Sequence, residues 1–158
     1  MEPYYESYIQ KYYVVLLLDS EEHYEYLIKE LSKYLSKNSK NAIALHNRGL
    51  AYLELGDGKG LKDIELSISI DGASKEPYKV LGQFWERNSD LKLALEYFTK
   101  AVEADTTDAT NFRCRASAYE ALGDLDSAIR DLDKAIELEP DFEYTIQHKA
   151  KLESRKNS

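Results

Sequence analysis

The feature that most constrains this sequence is an internal repeat with a period of about 34 residues. Residues 42–74, 75–108 and 109–142 align so that similar side chains recur in the same columns. In the first half of each unit a large apolar residue, a small residue and a ring follow one another: Leu45, Gly49 and Tyr52; Tyr78, Gly82 and Trp85; Phe112, Ala116 and Tyr119. Self-similarity at a fixed period is typical of a solenoid, in which neighbouring units stack.

The second half of each unit repeats a small, a large apolar and another small residue. These columns contain Gly60, Ile64 and Ser67; Ala94, Phe98 and Ala101; Ala128, Leu132 and Ala135. Spacings of three and four place such side chains on one helix face, so that a large residue of one helix can fill the hole beside a small residue of the next. Each unit is therefore predicted to be a helical hairpin.

Between the two halves of each unit stands a residue that tolerates left-handed backbone geometry, followed by an aspartate. The three pairs are Gly56-Asp57, Ser89-Asp90 and Gly123-Asp124. An aspartate at this place can accept the free backbone N–H groups that begin a helix. We therefore expect these aspartates to cap the second helix of each hairpin.

The columns resemble the tetratricopeptide repeat, in which large–x2–Leu–Gly–x2–Tyr is followed by Ala–x3–Phe, Ala and Pro. The third unit matches best, over residues 123–135, and closes at Pro140. The second unit has Thr106 in place of that proline, and the first lacks one residue before Gly60. The resemblance implies an all-α fold, a right-handed solenoid of helical hairpins that forms an alpha-alpha superhelix.

The same resemblance implies one domain over residues 1–158. Residues 1–41 would form a degenerate N-terminal hairpin, whose second helix begins where Asp19 and Glu22 have the spacing of a capping box. Residues 143–158 would form a C-terminal capping helix and tail, because the outer face of a terminal repeat needs cover.

By the resemblance, a partner is held in a concave groove lined by the first helix of each unit. Groove-facing side chains come from the second, fifth, ninth, twelfth and thirteenth places of a unit. The candidates for partner contact are His46, Glu54, Lys79, Gln83, Glu86, Arg87, Arg113 and Glu120. Arg87 and Arg113 lead because a guanidinium pairs with a carboxylate through two hydrogen bonds, although either could be an ordinary solvated residue. Leu50 and Leu53 could anchor a partner, but burial against residues 1–41 is the favoured interpretation.

One subgroup of the family grips the free carboxylate of chaperone tails with Lys and Asn in a first unit, Asn in a second, and Lys and Arg in a third. Asn47-Arg48 resembles the middle element of that clamp. Glu76 and Val80 stand where Lys and Arg would be needed. A co-chaperone that binds heat-shock protein tails is therefore disfavoured.

Eight of the thirteen tyrosines lie within the first 34 residues. Tyr4, Tyr8 and Tyr12 repeat every four residues and would lie along one helix face, with Tyr5 beside them. Tyrosine is enriched at interfaces because it joins an apolar ring to a polar tip. This stripe could dock a partner or a second copy of the chain in a weak homodimer, or it could cover the core of the first repeat.

The formal net charge of −8 argues against a nucleic-acid partner, which requires a dense field of basic residues. The N-terminus is acidic where a secretory signal would be basic, and the apolar run 14–18 is far short of the roughly 20 residues that span a bilayer. With Cys114 as the single cysteine, no disulfide can form within the chain. We expect a cytoplasmic protein without membrane attachment.

The sequence contains no recognisable catalytic constellation. His23, His46 and His148 lie in different elements without a cysteine at ligand spacing, so neither a metal site nor a cofactor is expected. The leading hypothesis is a non-catalytic, chaperone-like adaptor that binds a protein or peptide. Two alternatives stay open: a dedicated neutraliser of one partner, such as an immunity protein or secretion chaperone, and a self-assembling structural protein.

Overall fold

The structure is a computed structural model that describes residues 20–71 and 76–157. Every regular element in these ranges is an α-helix, which confirms the predicted all-α fold. In chain order they are α1 (Glu21–Leu35), α2 (Ala42–Glu54), α3 (Lys59–Ile70), α4 (Glu76–Arg87), α5 (Leu91–Ala104), α6 (Ala109–Ala121), α7 (Leu125–Leu138) and α8 (Glu143–Lys156). We refer to α2–α3, α4–α5 and α6–α7 as the first, middle and third hairpins.

The chain divides into two compact units, Met1–Pro77 and Tyr78–Ser158. The N-terminal unit contains helices α1 to α3, and the C-terminal unit contains α4, from its third residue, to α8. The single domain over residues 1–158 stays a prediction. The four N-terminal tyrosines proposed as a second interface lie outside the described residues.

The turns of the middle and third hairpins have the predicted geometry. Ser89 and Gly123 adopt left-handed φ values of 63° and 84°. The carboxylate of Asp90 then accepts the backbone N–H of Leu93 at 3.1 Å, and that of Asp124 accepts the N–H of Ser127 at 3.0 Å. Both aspartates therefore cap the second helix of their hairpin, as predicted.

Two predicted caps are displaced. In the first hairpin the N-cap of α3 is Gly58, which offers no side chain, while Asp57 accepts the N–H of Lys59 from outside the helix at 2.9 Å. Helix α3 begins two residues after Asp57, so the carboxylate of Asp57 meets the first backbone N–H of the helix and not the third. At α1 the cap is Ser20 rather than Asp19: its backbone is extended and its hydroxyl accepts the N–H of His23.

Small residues of the first helices receive large side chains from the second helices, as the columns predict. A Cβ atom placed on Gly82 would lie 2.4 Å from the ring of Phe98, and one placed on Gly49 would lie 2.8 Å from Ile64. In the third hairpin Ala116 and Leu132 belong to one buried cluster. Interlocking of this kind fixes how the two helices of a hairpin pack.

Each unit has an additional helix that covers a hairpin. In the N-terminal unit Leu31 and Leu35 of α1 form a cluster with Leu45 of α2. In the C-terminal unit Leu152 of α8 is completely buried with Leu132 of α7. These contacts remove apolar surface from water at a gain of roughly 25 cal/mol per Å².

Candidate partner-binding surface

Helices α4 and α6, the first helices of the middle and third hairpins, both contribute side chains to one cluster of the C-terminal unit. Trp85 of α4 and Cys114 of α6 pack in the cluster around Phe98. Near the start of α6, Lys79 Nζ lies 3.7 Å from the carboxylate of Asp108. The candidate residues on these two helices, here called the α4–α6 surface, are Lys79, Gln83, Glu86, Arg87, Arg113 and Glu120.

Arg113, one of the two leading candidates, is engaged inside the C-terminal unit. Its guanidinium donates to Glu139 Oε2 at 2.6 Å and to Thr110 Oγ1 at 2.9 Å. Its centre also lies 4.5 Å from the centroid of the Phe142 ring. A partner carboxylate would have to compete with Glu139 for this arginine.

Two other charged candidates on this surface are also paired. Lys79 faces Asp108, whose carboxylate also accepts the backbone N–H of Thr110 at the start of α6. Glu120 accepts hydrogen bonds from His148 Nε2, at 2.7 Å, and from Arg155. Burial opposes the charge of Glu120, but these two hydrogen bonds outweigh it and lower the pKa of its carboxyl.

Glu86 differs from these residues. It is half-buried, and burial alone raises the pKa of its carboxyl above the ordinary value. Within the described ranges no side chain donates a hydrogen bond to it or forms an ion pair with it. On the same helix, Gln83 and Arg87 are exposed.

The candidates of the N-terminal unit lie on α2. Glu54 is exposed and His46 is half-buried. Leu53 is 4% exposed, and its side chain packs against Gly60 at the start of α3. Leu53 is therefore buried, with Gly60 of α3 beside it, whereas Leu50 is half-buried. Residues 1–19, part of the segment expected to cover both leucines, lie outside the described residues.

The pair that resembles a carboxylate clamp is used within the N-terminal unit. Asn47 is buried, and Arg48 donates to both carboxylate oxygens of Asp63 at 2.6 and 2.8 Å. A third donor of Arg48 reaches Ser32 of α1 at 3.2 Å. The guanidinium of Arg48 therefore holds α1, α2 and α3 together.

The structure reveals charged residues that the position rule of the repeat did not identify. Glu139, His148 and Arg155 follow or belong to later helices, yet they pair with α6. The repeat columns describe contacts within a hairpin and give no signal for side chains that reach back from α8. The paired residues lie 26 to 35 positions apart in the sequence, so only a search for opposite charges at such long separations would have found them.

Other sites suggested by residue type gain no support. Burial, the largest effect, raises the pKa of the Cys114 thiol, so its arginine neighbours do not activate it. In the described ranges no three His, Cys, Asp or Glu residues are grouped so as to hold a metal ion. No helix of that part is both long and apolar enough to cross a bilayer.

The sequence profile of the tetratricopeptide repeat matches residues 109–142, the third predicted unit. Over 85 residues the chain is 29% identical to small glutamine-rich tetratricopeptide repeat-containing protein 2 of Saccharomyces cerevisiae, covering 51% of this chain and 25% of that protein. The chain spans a quarter or less of the length of the curated relatives it matches.

Two solved structures share the fold. Crystalline MamA has a TM-score of 0.74 at 22% identity, covering 82% of this chain and 77% of that one. The first TPR of Spaghetti (RPAP3), bound to the HSP90 peptide SRMEEVD, has a TM-score of 0.68 at 20% identity, covering 76% and 96%. The fold is therefore that of a helical-hairpin solenoid built from such repeats.

Proposed function

We propose that this chain, a tetratricopeptide-repeat protein, is a non-catalytic module that holds a protein or peptide segment against the first helices of its hairpins. Proteins with this fold include one solved with an HSP90 peptide and another described as having an unusual peptide-binding site. Curated relatives include Hsp70-Hsp90 organizing proteins of Triticum aestivum and Arabidopsis thaliana. These names support peptide binding as the general mode.

The observation that carries the proposal is that α4 has buried apolar residues and exposed polar residues. Leu81 and Phe84 are buried in the unit, whereas Gln83 and Arg87 are exposed on the other side. Apolar packing therefore holds the helix in place and leaves Gln83 and Arg87 exposed to solvent. A rigid helix that presents such side chains is a suitable platform for recognition.

A catalytic role has less support. One relative is a UDP-N-acetylglucosamine–peptide N-acetylglucosaminyltransferase of Giardia intestinalis, but the alignment covers 6% of that protein. The Cys114 thiol is not activated, because burial raises its pKa. The proposal therefore assigns no reaction to this chain.

The test compares two variants with the same change of charge. The immobilised full chain captures partners from the source cell in parallel with Arg87→Glu, on the α4–α6 surface, and Lys92→Glu, exposed on α5. We avoid Arg113→Glu because it would break the ion pair with Glu139. Circular dichroism verifies that each variant is folded, and the affinity of the purified partner is then measured for all three chains.

An affinity that changes in Arg87→Glu and stays at the wild-type value in Lys92→Glu supports the proposal. A partner bound with wild-type affinity by both variants contradicts it and moves attention to Tyr4, Tyr5, Tyr8 and Tyr12. A partner lost by both shows that only the overall charge matters, which also contradicts a defined surface. Nanomolar affinity for a single toxic or secreted protein would favour the neutraliser, and sedimentation as a dimer would favour self-assembly.

A further inference from the structure

The charges of the α4–α6 surface are not equally available to a partner. Lys79 and Arg113 are neutralised by Asp108 and Glu139. Glu120 is held by two cationic groups of α8. Glu86 is the exception among these four residues, because no side chain in the described ranges pairs with it.

The position of Glu86 is unfavourable for the stability of the unit. A half-buried carboxylate has lost part of its hydration, and no side chain in the described ranges supplies a hydrogen bond to Glu86 in exchange. Glu86 is also the penultimate residue of α4, where the negative end of the helix dipole repels an anion. The thiol of Cys114 lies within electrostatic range of Glu86 and contributes no positive charge. A glutamine in place of Glu86 would fill the same volume without the free-energy cost of a partly buried charge.

We propose that Glu86 determines the specificity of this surface by binding a lysine or arginine side chain of the partner segment. The inference rests on the proposed function and specifies the chemistry of its partner. A cationic group seated on Glu86 would replace the missing hydrogen bonds in a partly desolvated place, where such pairs are strong. The net charge of −8 would also attract a basic segment over longer distances.

This assignment reverses the polarity expected from the sequence, where Arg87 and Arg113 were to bind a carboxylate. It also separates this chain from the relative solved with SRMEEVD, a peptide that contains three acidic residues. Here Arg113 already holds a carboxylate, that of Glu139. An acidic segment would meet an occupied cation and an uncompensated anion on the same surface.

The experiment selects peptides from a phage-displayed random 12-residue library on the immobilised full chain at neutral pH. Parallel selections use Glu86→Gln, Glu86→Lys and the control Glu103→Lys, whose side chain is exposed on α5 of the same unit. Peptides from the wild-type selection are then synthesised, and fluorescence anisotropy measures their affinity for each chain. Thermal unfolding of each variant verifies that it remains folded.

We expect wild-type and Glu103→Lys selections to share a Lys or Arg at one position of the peptide. Glu86→Gln should weaken the selected peptide by roughly tenfold or more while its melting temperature stays equal or rises. Glu86→Lys should select an acidic residue at that position. Replacing the basic residue of the peptide by alanine should have no further effect on binding to Glu86→Gln.

Two results overturn the inference, and they are distinguishable. If peptides are selected but their charge pattern is the same for wild type, Glu86→Gln and Glu86→Lys, peptide binding stands and the role of Glu86 is wrong. If no chain selects any peptide, the proposed function fails and the inference fails with it.

Discussion

The first and third hairpins contain the same ion pair but hold their helices together differently. Arg48 donates to Asp63 through two bonds of 2.6 and 2.8 Å, and Arg115 donates to Asp131 through two bonds of 2.7 Å. The four residues occupy the seventh and twenty-third columns of their repeats. The first and third hairpins therefore share this pair, whereas the packing next to it depends on the local sequence.

The difference lies where the two helices of a hairpin cross. In the first hairpin the crossing is formed by glycines, and a Cβ atom on Gly60 would lie 2.3 Å from the carbonyl oxygen of Gly49. In the third hairpin Ala116 and Ala128 occupy the same columns, and both are completely buried. The connection between the helices of the first hairpin, residues 55–58, is one residue longer than that of the third hairpin, residues 122–124, and the glycines of the first hairpin allow a closer approach. A departure from the repeat pattern is thus compensated within the same hairpin.

Restoring the usual alanine should therefore damage the first hairpin. We expect Gly60→Ala to cost about 3 kcal/mol in the free energy of unfolding, because the added methyl group meets backbone atoms that cannot move independently. Urea unfolding followed by circular dichroism measures this. Gly58→Ala is the matched control, since a Cβ atom there has no neighbour within 4 Å, and it should change the stability by less than about 1 kcal/mol. Equal effects of the two substitutions would contradict the close crossing.

The ion pair can be tested against the middle hairpin, which replaces it with Leu81 and Tyr97 in the same columns. Asp131→Ala should cost about 2 kcal/mol, because it leaves the half-buried guanidinium of Arg115 without its two acceptors. The double variant Arg115→Leu/Asp131→Tyr, which copies the middle hairpin, should recover most of that loss in urea unfolding. A double variant as unstable as Asp131→Ala would show that the pair itself, and not the filling of the site, is needed.

Much of the fold could be predicted because the columns record contacts within one hairpin. The small residue Gly82 and the large residue Phe98 meet as their spacing indicates. The candidate surface was less predictable, because availability depends on side chains that approach from other helices. Nothing in the sequence indicated a partner for Arg113, yet its guanidinium donates to Glu139 and lies over the ring of Phe142. No local pattern indicates such a pairing, and none distinguishes Glu86 from the paired acids.

The contact between α8 and the third hairpin should make the stability of the chain depend on pH. Glu120 connects the third hairpin to α8, and its hydrogen bonds lower the pKa of its carboxyl. A lowered folded-state pKa stabilises the chain above the ordinary carboxyl pKa, and this contribution is lost as the pH falls through the lowered value. Glu120→Gln should therefore cost about 1 kcal/mol at neutral pH and progressively less on acidification through that window.

The control for this pH test is Glu137→Gln. Glu137 pairs with Lys134 on the exposed side of α7, three residues away. Such surface pairs contribute only about 0–1 kcal/mol, so thermal unfolding at several pH values should give nearly parallel curves for this variant and the wild type. A Glu120→Gln effect that is independent of pH would contradict the role of its charge.

The smallest effects are expected at the turns between the two helices of each hairpin. The first and third hairpins have glycine at the left-handed position of this turn, whereas the middle hairpin has serine. Gly56 and Gly123 have left-handed φ values of 72° and 84°, while Ser89 adopts 63° with a side chain. Gly123→Ala should cost about 1 kcal/mol from backbone strain alone, since its Cβ atom would meet no neighbour.

In the middle hairpin, Ser89→Gly should stabilise the chain by about 0.5 kcal/mol, because the relief of strain exceeds the entropy that glycine adds to the unfolded state. Thermal unfolding of the two single variants measures both effects. Opposite signs at Gly123 and Ser89 would show that left-handed geometry is imposed on all three turns by hairpin packing and is not chosen by the residue. A loss of stability in Ser89→Gly would instead mean that the serine side chain contributes to its turn.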